Sequence, residues 1–144
     1  MQQSKLFGLL FVLPMLMLST SAHAFNINGT YKSESGEFVL TITHSSDYDG
    51  SFSGTYDTYF TPVGPLSIPV SGTFHFVNNP DGSLVPLALK FSSTMRPAGW
   101  PYVLVDAWSG ILKAPGVISA TGVRSFLPAG GPGELSSLGT HTFN

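Results

Sequence analysis

The sequence contains no cysteine, so no disulfide can hold the fold together. Small exported domains commonly depend on disulfides, and a chain without them must be stabilised by packing and by a sheet without open edges. Charged residues are also scarce, at 10% of the chain. Six Lys and Arg stand against eight Asp and Glu. Because nucleic acids and anionic membrane surfaces need clustered cations, we expect no nucleic acid and no membrane as a partner.

Signals for helices and for catalysis are missing as well. No window keeps the i, i+3, i+4, i+7 apolar stripe of an amphipathic helix for long. The sequence has no Gly-x-Ser-x-Gly nucleophile elbow, no His-x-x-x-His pair and no Gly-rich phosphate loop. His44, His75 and His141 lie on separate predicted strands. We therefore expect no enzyme, no catalytic residue, no metal site and no cofactor.

The first 24 residues have the pattern of a secretory signal peptide. Lys5 precedes an apolar run over residues 6–18, and Ala22-His23-Ala24 is a small-x-small cleavage site. The run is shorter than the stretch of about 20 apolar residues that a transmembrane helix needs. We expect cleavage near Ala24, a secreted or periplasmic location, and one mature domain over residues 25–144.

The mature region consists of short runs rich in Val, Ile, Phe, Tyr and Thr, separated by turn signals. In one run, Phe38, Leu40 and Ile42 alternate with more polar neighbours, which is typical of a strand with one buried face. The predicted strands cover residues 29–32, 38–43, 51–57, 68–77, 84–92, 102–112, 117–127 and 138–143. Eight strands with short connections predict an all-β fold, an eight-stranded antiparallel up-and-down β-barrel. A barrel of this size can hold one small ligand in its interior.

Three short phrases along these strands resemble the avidin–streptavidin family in their order and spacing. Gly29-Thr30-Tyr31 opens the first strand, Gly54-Thr55-Tyr56 lies in the third, and Trp108-Ser109-Gly110 lies in the sixth. Residues 139–143 are similar to the closing strand of that family. The resemblance extends over nearly all of residues 27–143. It implies a ligand site inside the barrel, with biotin as the ligand.

The resemblance also implies which residues line that site. Tyr56 and Thr58 match pocket-lining positions, and the two-residue period of a strand puts both side chains on one face. Trp108 matches a tryptophan that packs on the ligand. Ser33 matches an asparagine of the first turn and can still donate a hydrogen bond. The alternative for Tyr56 and Thr58 is an ordinary role in a strand, and the alternative for Trp108 is a role in the core without ligand contact.

Other matched positions differ from the family. Phe91 stands where the family has tryptophan, and it keeps an aromatic wall without an N–H donor. Asp106 replaces a threonine and would put a charge on the face of Trp108, although a lone Asp more often lies in water at a barrel mouth. His141 replaces a carboxylate. Its neutral imidazole can accept a hydrogen bond from a ligand, whereas the protonated ring cannot. The alternative for His141 is a polar residue near the end of the barrel whose hydrogen bonds are satisfied within the protein.

Two further tryptophans of the family fall on Gly122 and Gly133, so part of the aromatic cage is missing. Each hydrogen bond lost from a desolvated site costs about 1–3 kcal/mol, which predicts weakened or altered affinity. The leading hypothesis is a secreted protein that binds a small molecule, biotin or an analogue, and forms a homo-oligomer, either a dimer or a tetramer. The alternative is an avidin-like scaffold that has lost biotin binding and acts through its surface or binds another ligand. A lipocalin-like carrier shares the strand count.

Overall fold

The computed structural model describes residues 26–78 and 84–144, so the predicted signal peptide and the tip of the turn at 79–83 lie outside the described residues. Within the two described stretches, nothing has the form of a membrane-spanning helix. The strands are β1 (Gly29–Lys32), β2 (Phe38–Ser46), β3 (Ser51–Thr58), β4 (Leu66–Asn78), β5 (Leu84–Met95), β6 (Tyr102–Ala114), β7 (Val117–Pro128) and β8 (Glu134–Phe143).

Each strand pairs antiparallel with its neighbours in sequence, in the order β1 to β8. The sheet curls until its first and last strands meet. The Lys32 N–H donates to the Asn144 carbonyl oxygen at 2.8 Å, and the Asn144 N–H donates to the Lys32 carbonyl oxygen at 2.9 Å. Ser33 and Phe143 form a further bridge beside this pair. The predicted eight-stranded antiparallel up-and-down barrel is thus confirmed.

The inner face of the sheet forms one hydrophobic core. The alternation read from β2 is confirmed, because Phe38, Leu40 and Ile42 are all buried. Inward-facing side chains of the other strands complete the core, among them Tyr31, Phe52, Tyr56, Val70, Phe74, Leu89, Phe91, Trp108, Leu112, Ile118 and Phe143. Burial of apolar surface stabilises a fold by about 25 cal/mol per Å². A filled, closed sheet of this kind accounts for stability without disulfides.

The last strand differs most from its predicted bounds. It begins at Glu134 and not at residue 138, because the backbone of residues 134–137 pairs with β7 although these residues show no apolar alternation. The register shifts by one residue near Gly139, whose φ of +84° suits glycine and a bulge. The bulge brings Glu134 and Ser136 to one end of the barrel. Smaller shifts place the start of β4 at Leu66 and the end of β5 at Met95.

Candidate functional site

Cross-strand rows of side chains on β6, β7 and β8 line one end of the barrel. From the interior outwards the rows are Trp108–Gly122–Gly139, Asp106–Arg124–Ser136 and Leu104–Phe126–Glu134. Successive rows lie two residues apart along β6 and β7, which corresponds to about 7 Å, and the bulge in β8 adds one residue between Gly139 and Ser136. The middle row therefore separates the aromatic interior from the open end, which we call the mouth.

The middle row contains a buried ion pair. Arg124 Nε lies 2.6 Å from Asp106 Oδ1, and Arg124 Nη2 lies 2.7 Å from Asp106 Oδ2. This side-on, two-bond arrangement is the geometry that a guanidinium and a carboxylate favour. The Asp106 side chain is fully buried, and the Arg124 side chain is 10% exposed. The two charges neutralise each other inside the barrel, so neither is left uncompensated in a medium where isolated charges are costly.

Tyr56 and Trp108 extend this pair into the interior. The Tyr56 hydroxyl donates to Asp106 Oδ2 at 3.1 Å and accepts from the Trp108 indole N–H at 3.1 Å. Burial, reinforced by the negative charge of Asp106, raises the pKa of Tyr56 above its ordinary value. The hydroxyl therefore stays protonated and fixes the carboxylate. The result is one continuous chain of hydrogen bonds from indole to guanidinium.

The remaining Arg124 donors face the neighbouring loop. Arg124 Nη1 donates to the Phe60 carbonyl oxygen, and Nη2 lies 3.4 Å from Thr58 Oγ1. Burial alone would lower the pKa of Arg124, but its hydrogen bonds to Asp106 and the charge of that carboxylate outweigh burial and raise it. Of the five N–H donors of a guanidinium, one on Nη1 has no partner within residues 26–78 and 84–144. Arg124 itself lines the cavity at the mouth.

Aromatic rings enclose the inner end of this chain. Phe91 stacks on Trp108 with ring centroids 6.0 Å apart and planes at 15°. Phe38 meets the same indole edge-on at 5.0 Å. The His141 ring packs edge-on at 5.1 Å from Phe38 and 5.9 Å from Trp108. At this level, side chains of the protein itself pack against one another across the interior.

Of the seven predicted ligand-binding residues, His141 packs against this cluster and five others are buried within it. They are Tyr56, Thr58, Phe91, Asp106 and Trp108, and all five are buried. Asp106 does not lie in water at the mouth, which was the alternative read from the sequence. It is held inside because Arg124 pairs with it. Contact of these five residues with a ligand stays a prediction.

The other two predicted residues make local contacts. Ser33 Oγ accepts the Phe38 backbone N–H at 3.1 Å and lies 3.2 Å from Ser35 Oγ, so it fastens the first turn. His141 Nε2 lies 2.8 Å from the Leu138 carbonyl oxygen. A carbonyl only accepts, so Nε2 carries the proton and donates. If His141 accepts a hydrogen bond from a ligand, it must do so through Nδ1.

Two residues of the site were missed by sequence reasoning. Arg124 supplies the counter-charge of Asp106, and Phe60 supplies both a carbonyl acceptor and a ring stacked 5.8 Å from Phe38. A signal for Arg124 was present, since a buried carboxylate needs a cation and the mature region has five Lys and Arg. Arg124 also stands two residues after Gly122, on the same strand face. No comparable signal marked Phe60, which lies in a loop.

The sequence resemblance implied that Gly122 leaves part of the aromatic cage missing. The structure gives this residue a different role. A Cβ at this position would lie 2.8 Å from three atoms of the Trp108 indole. Gly122 is the cross-strand partner of Trp108. Its missing side chain therefore makes room for the Trp108 ring, and the interior at this point is packed and not vacant.

One open space lies at the mouth, beyond the ion pair. A cavity of about 430 Å³ is lined by Tyr59, Phe60, Thr61, Pro62, Leu104, Arg124, Phe126, Glu134 and Ser136. Its volume falls within the range of about 300–1,000 Å³ that is usual for small-molecule sites. The walls are mainly apolar and aromatic, with an N–H donor at the floor and a carboxylate at the rim. Within residues 26–78 and 84–144, no three His, Asp or Glu side chains are placed to hold a metal ion.

Comparison with protein-family models and with curated proteins finds no match. Among solved structures, the chain is similar to the X-ray structure of a biotin-binding protein from chicken. The two are 18% identical, with a TM-score of 0.49, and the match covers 81% of this chain and 92% of the chicken chain. Membership of the avidin family stays a prediction that rests on the sequence resemblance.

Proposed function

We propose that this protein binds a small organic molecule in the cavity at the mouth of its barrel, with biotin or a close analogue as the first candidate. The observation that carries the proposal is the Arg124 guanidinium at the cavity floor, fixed by Asp106 and left with one N–H donor. A preorganised donor surrounded by apolar walls is typical of a small-molecule site. The ureido carbonyl of biotin is an acceptor that such a donor suits.

The interior is a poor alternative to the mouth. A ligand that reached Tyr56 and Trp108 would first have to displace Arg124 from Asp106. That step would leave a buried carboxylate without its counter-charge, which costs several kcal/mol. Since the mouth cavity already contains a donor, we expect the ligand to stop at the ion pair.

We expect modest affinity. The mouth cavity is open on one side, so part of a ligand stays in water. Its floor also offers a single free donor, and the chain of hydrogen bonds below it is already complete. Dissociation constants in the micromolar range or weaker correspond to about 8 kcal/mol or less of binding free energy.

Thermal unfolding of the protein tests the proposal. A ligand that binds only the folded state raises the melting temperature by mass action. Biotin and its uncharged amide are each added at millimolar concentration. The proposal predicts that at least one of the two probes raises the melting temperature. If neither probe does so, the proposal is wrong.

A pair of variants locates the binding site. Ser136→Phe puts a large side chain into the mouth cavity, which Ser136 lines. Ser137→Phe places the same ring on the neighbouring exposed residue of β8 as a control. Ligand stabilisation should disappear in Ser136→Phe and persist in Ser137→Phe. An unchanged effect in Ser136→Phe would place the ligand elsewhere.

A scaffold that acts through its surface is the second candidate function, and a depression on the outer face of β3 to β7 favours it. A depression of about 910 Å³ there is lined by Phe52, Phe91 and Trp108, and on the outside by the side chains of Ser71, Thr73, Lys90, Ser92, Ala107, Ser109, Thr121 and Val123. These side chains are mostly small, so another chain could approach the sheet closely. We propose this face as the site of homo-oligomerisation. Sedimentation velocity should show a dimer or tetramer that Ala107→Arg dissociates, and a monomeric parent protein would contradict the proposal.

A further inference from the structure

The charges at the mouth do not balance. Arg124 and Asp106 neutralise each other, because both carboxylate oxygens accept from the same guanidinium. Glu134 also lines the cavity. Within residues 26–78 and 84–144, no ion pair joins Glu134 to a cation. The site as a whole therefore carries an excess negative charge, located at its rim.

The position of Glu134 relative to Arg124 is set by the sheet. Glu134 is the cross-strand partner of Phe126, and Arg124 lies two residues before Phe126 on β7. The rim carboxylate is thus one row further out than the guanidinium, at a separation of about 7 Å along the strands. A ligand that accepts from Arg124 at the floor and projects its other end outwards must pass Glu134.

Aromatic rings at the mouth also favour a positively charged ligand group. Tyr59, Phe60 and Phe126 line the cavity. Behind Phe126, the Tyr102 ring lies 5.4 Å away, and the Trp100 ring lies 4.7 Å from Tyr102. The faces of aromatic rings carry negative potential and attract organic cations. Rim and walls therefore both favour a positive group over a negative one.

The Arg124 charge does not reverse this preference. Its Nε and Nη2 donate to the Asp106 carboxylate oxygens, with N···O distances of 2.6 and 2.7 Å. Its Nη1 donates to the Phe60 carbonyl oxygen. An approaching carboxylate would gain one N–H bond at the floor but would meet the Asp106 charge behind it and Glu134 beside it. A neutral carbonyl gains the same N–H bond without either repulsion.

We propose that the mouth cavity selects for ligands that carry an ammonium group at their outer end and against ligands that carry a carboxylate there, with Glu134 as the specificity-determining residue. The ligand class is an uncharged acceptor at the inner end, an apolar or aromatic body, and a cationic outer end. This inference rests on the proposed binding function of the same cavity. Biotin, whose outer end is a carboxylate, is then a weaker ligand than its uncharged or amine-bearing derivatives.

Three probes with one common ring system test the proposal by calorimetric titration. They are biotin, biotinamide and the biotin amide of ethylenediamine, which carry an outer negative, no and positive charge at pH 7. We expect affinity to rise in that order by about 3- to 10-fold per step at low salt, because each step adds one unit of positive charge beside Glu134 near the protein surface. The differences should shrink in 1 M NaCl, where charges are screened beyond about 3 Å.

A matched pair of variants assigns the effect to one residue. Glu134→Gln should bring the three affinities together, whereas Asp47→Asn, the same charge change in the exposed turn between β2 and β3, should leave their order unchanged. Equal affinities in the parent protein, a reversed order, or an order that survives in Glu134→Gln would overturn the proposal while leaving the binding function intact. Failure of all three probes to bind would overturn the binding function and this inference with it.

Discussion

The guanidinium of Arg124 lies side-on against the carboxylate of Asp106, its cross-strand partner on the inner face of the barrel. The pair divides the barrel into an aromatic interior and an open mouth. The Arg124 side chain occupies the interior position where the sequence resemblance places a ligand.

Removing the carboxylate should destabilise the fold strongly. In Asp106→Asn, Arg124 stays charged and buried, and the Tyr56 hydroxyl loses its anionic acceptor. Loss of one partner of a buried ion pair typically costs about 3–5 kcal/mol. Urea unfolding measures this free energy, and Asp47→Asn in an exposed turn serves as the control, with an expected change within about 0.5 kcal/mol. Similar small effects in both variants would mean that Asp106 is not paired in solution.

Removing both charges should lower the free energy of unfolding less than removing one of them. The double variant Asp106→Leu with Arg124→Met replaces the pair by apolar groups of similar size. Such replacements in other proteins are often neutral or stabilising by about 1–4 kcal/mol, because no charge is left buried. A double-mutant cycle by urea unfolding should therefore show strong coupling. Additive effects of the two single variants would contradict the contact between Arg124 and Asp106.

The close contact between Gly122 and Trp108 makes a methyl group at residue 122 costly. A Cβ would lie 2.8 Å from the indole ring, so Gly122→Ala must shift Trp108 and disturb its bond to Tyr56. Overpacking of this kind costs about 1–3 kcal/mol. Gly133→Ala is the control, since its nearest contacts are at 3.5 Å. A melting temperature that falls equally in both variants would contradict this packing.

Stability should fall at alkaline pH, and part of that fall should come from Tyr56. Its pKa is raised by burial and by Asp106, so the folded protein keeps a proton that the unfolded chain loses near pH 10. The stabilisation from this group is complete below about pH 10 and is lost as the pH rises further. Burial also raises the pKa of Tyr31, which acts in the same direction. The free energy of unfolding between pH 9 and 11.5 should therefore fall less steeply in Tyr56→Phe, and an unchanged slope would contradict the prediction.

The strand pattern was predictable because it depends on local alternation. Phe38, Leu40 and Ile42 mark an inner face by period alone, and the cluster around Tyr56 and Trp108 follows from matched phrases and the same period. The start of β8 was not predictable, because residues 134–137 pair through their backbone and carry no apolar alternation. Because the predicted strand began at residue 138, the prediction did not place Glu134 at the mouth.

The occupant of the interior was not predictable for a different reason. The pairing of Asp106 with Arg124 depends on the register between β6 and β7, which sequence spacing alone does not set. Phe60 reaches the guanidinium from a loop, where no period constrains the backbone. Residue identities were thus enough to find the walls of the site, and strand register decided what fills it.

We expect a ligand to occupy the mouth while the ion pair keeps the interior closed, and two NMR signals test this directly. Leu104 lines the mouth cavity, and the indole N–H of Trp108 lies below the ion pair, bonded to Tyr56. In a titration with biotinamide, we predict that the Leu104 methyl signals shift while the Trp108 indole signal stays in place. A shift of the Trp108 indole signal without a change at Leu104 would mean that the ligand displaces Arg124 and enters the barrel. That result would contradict binding at the mouth.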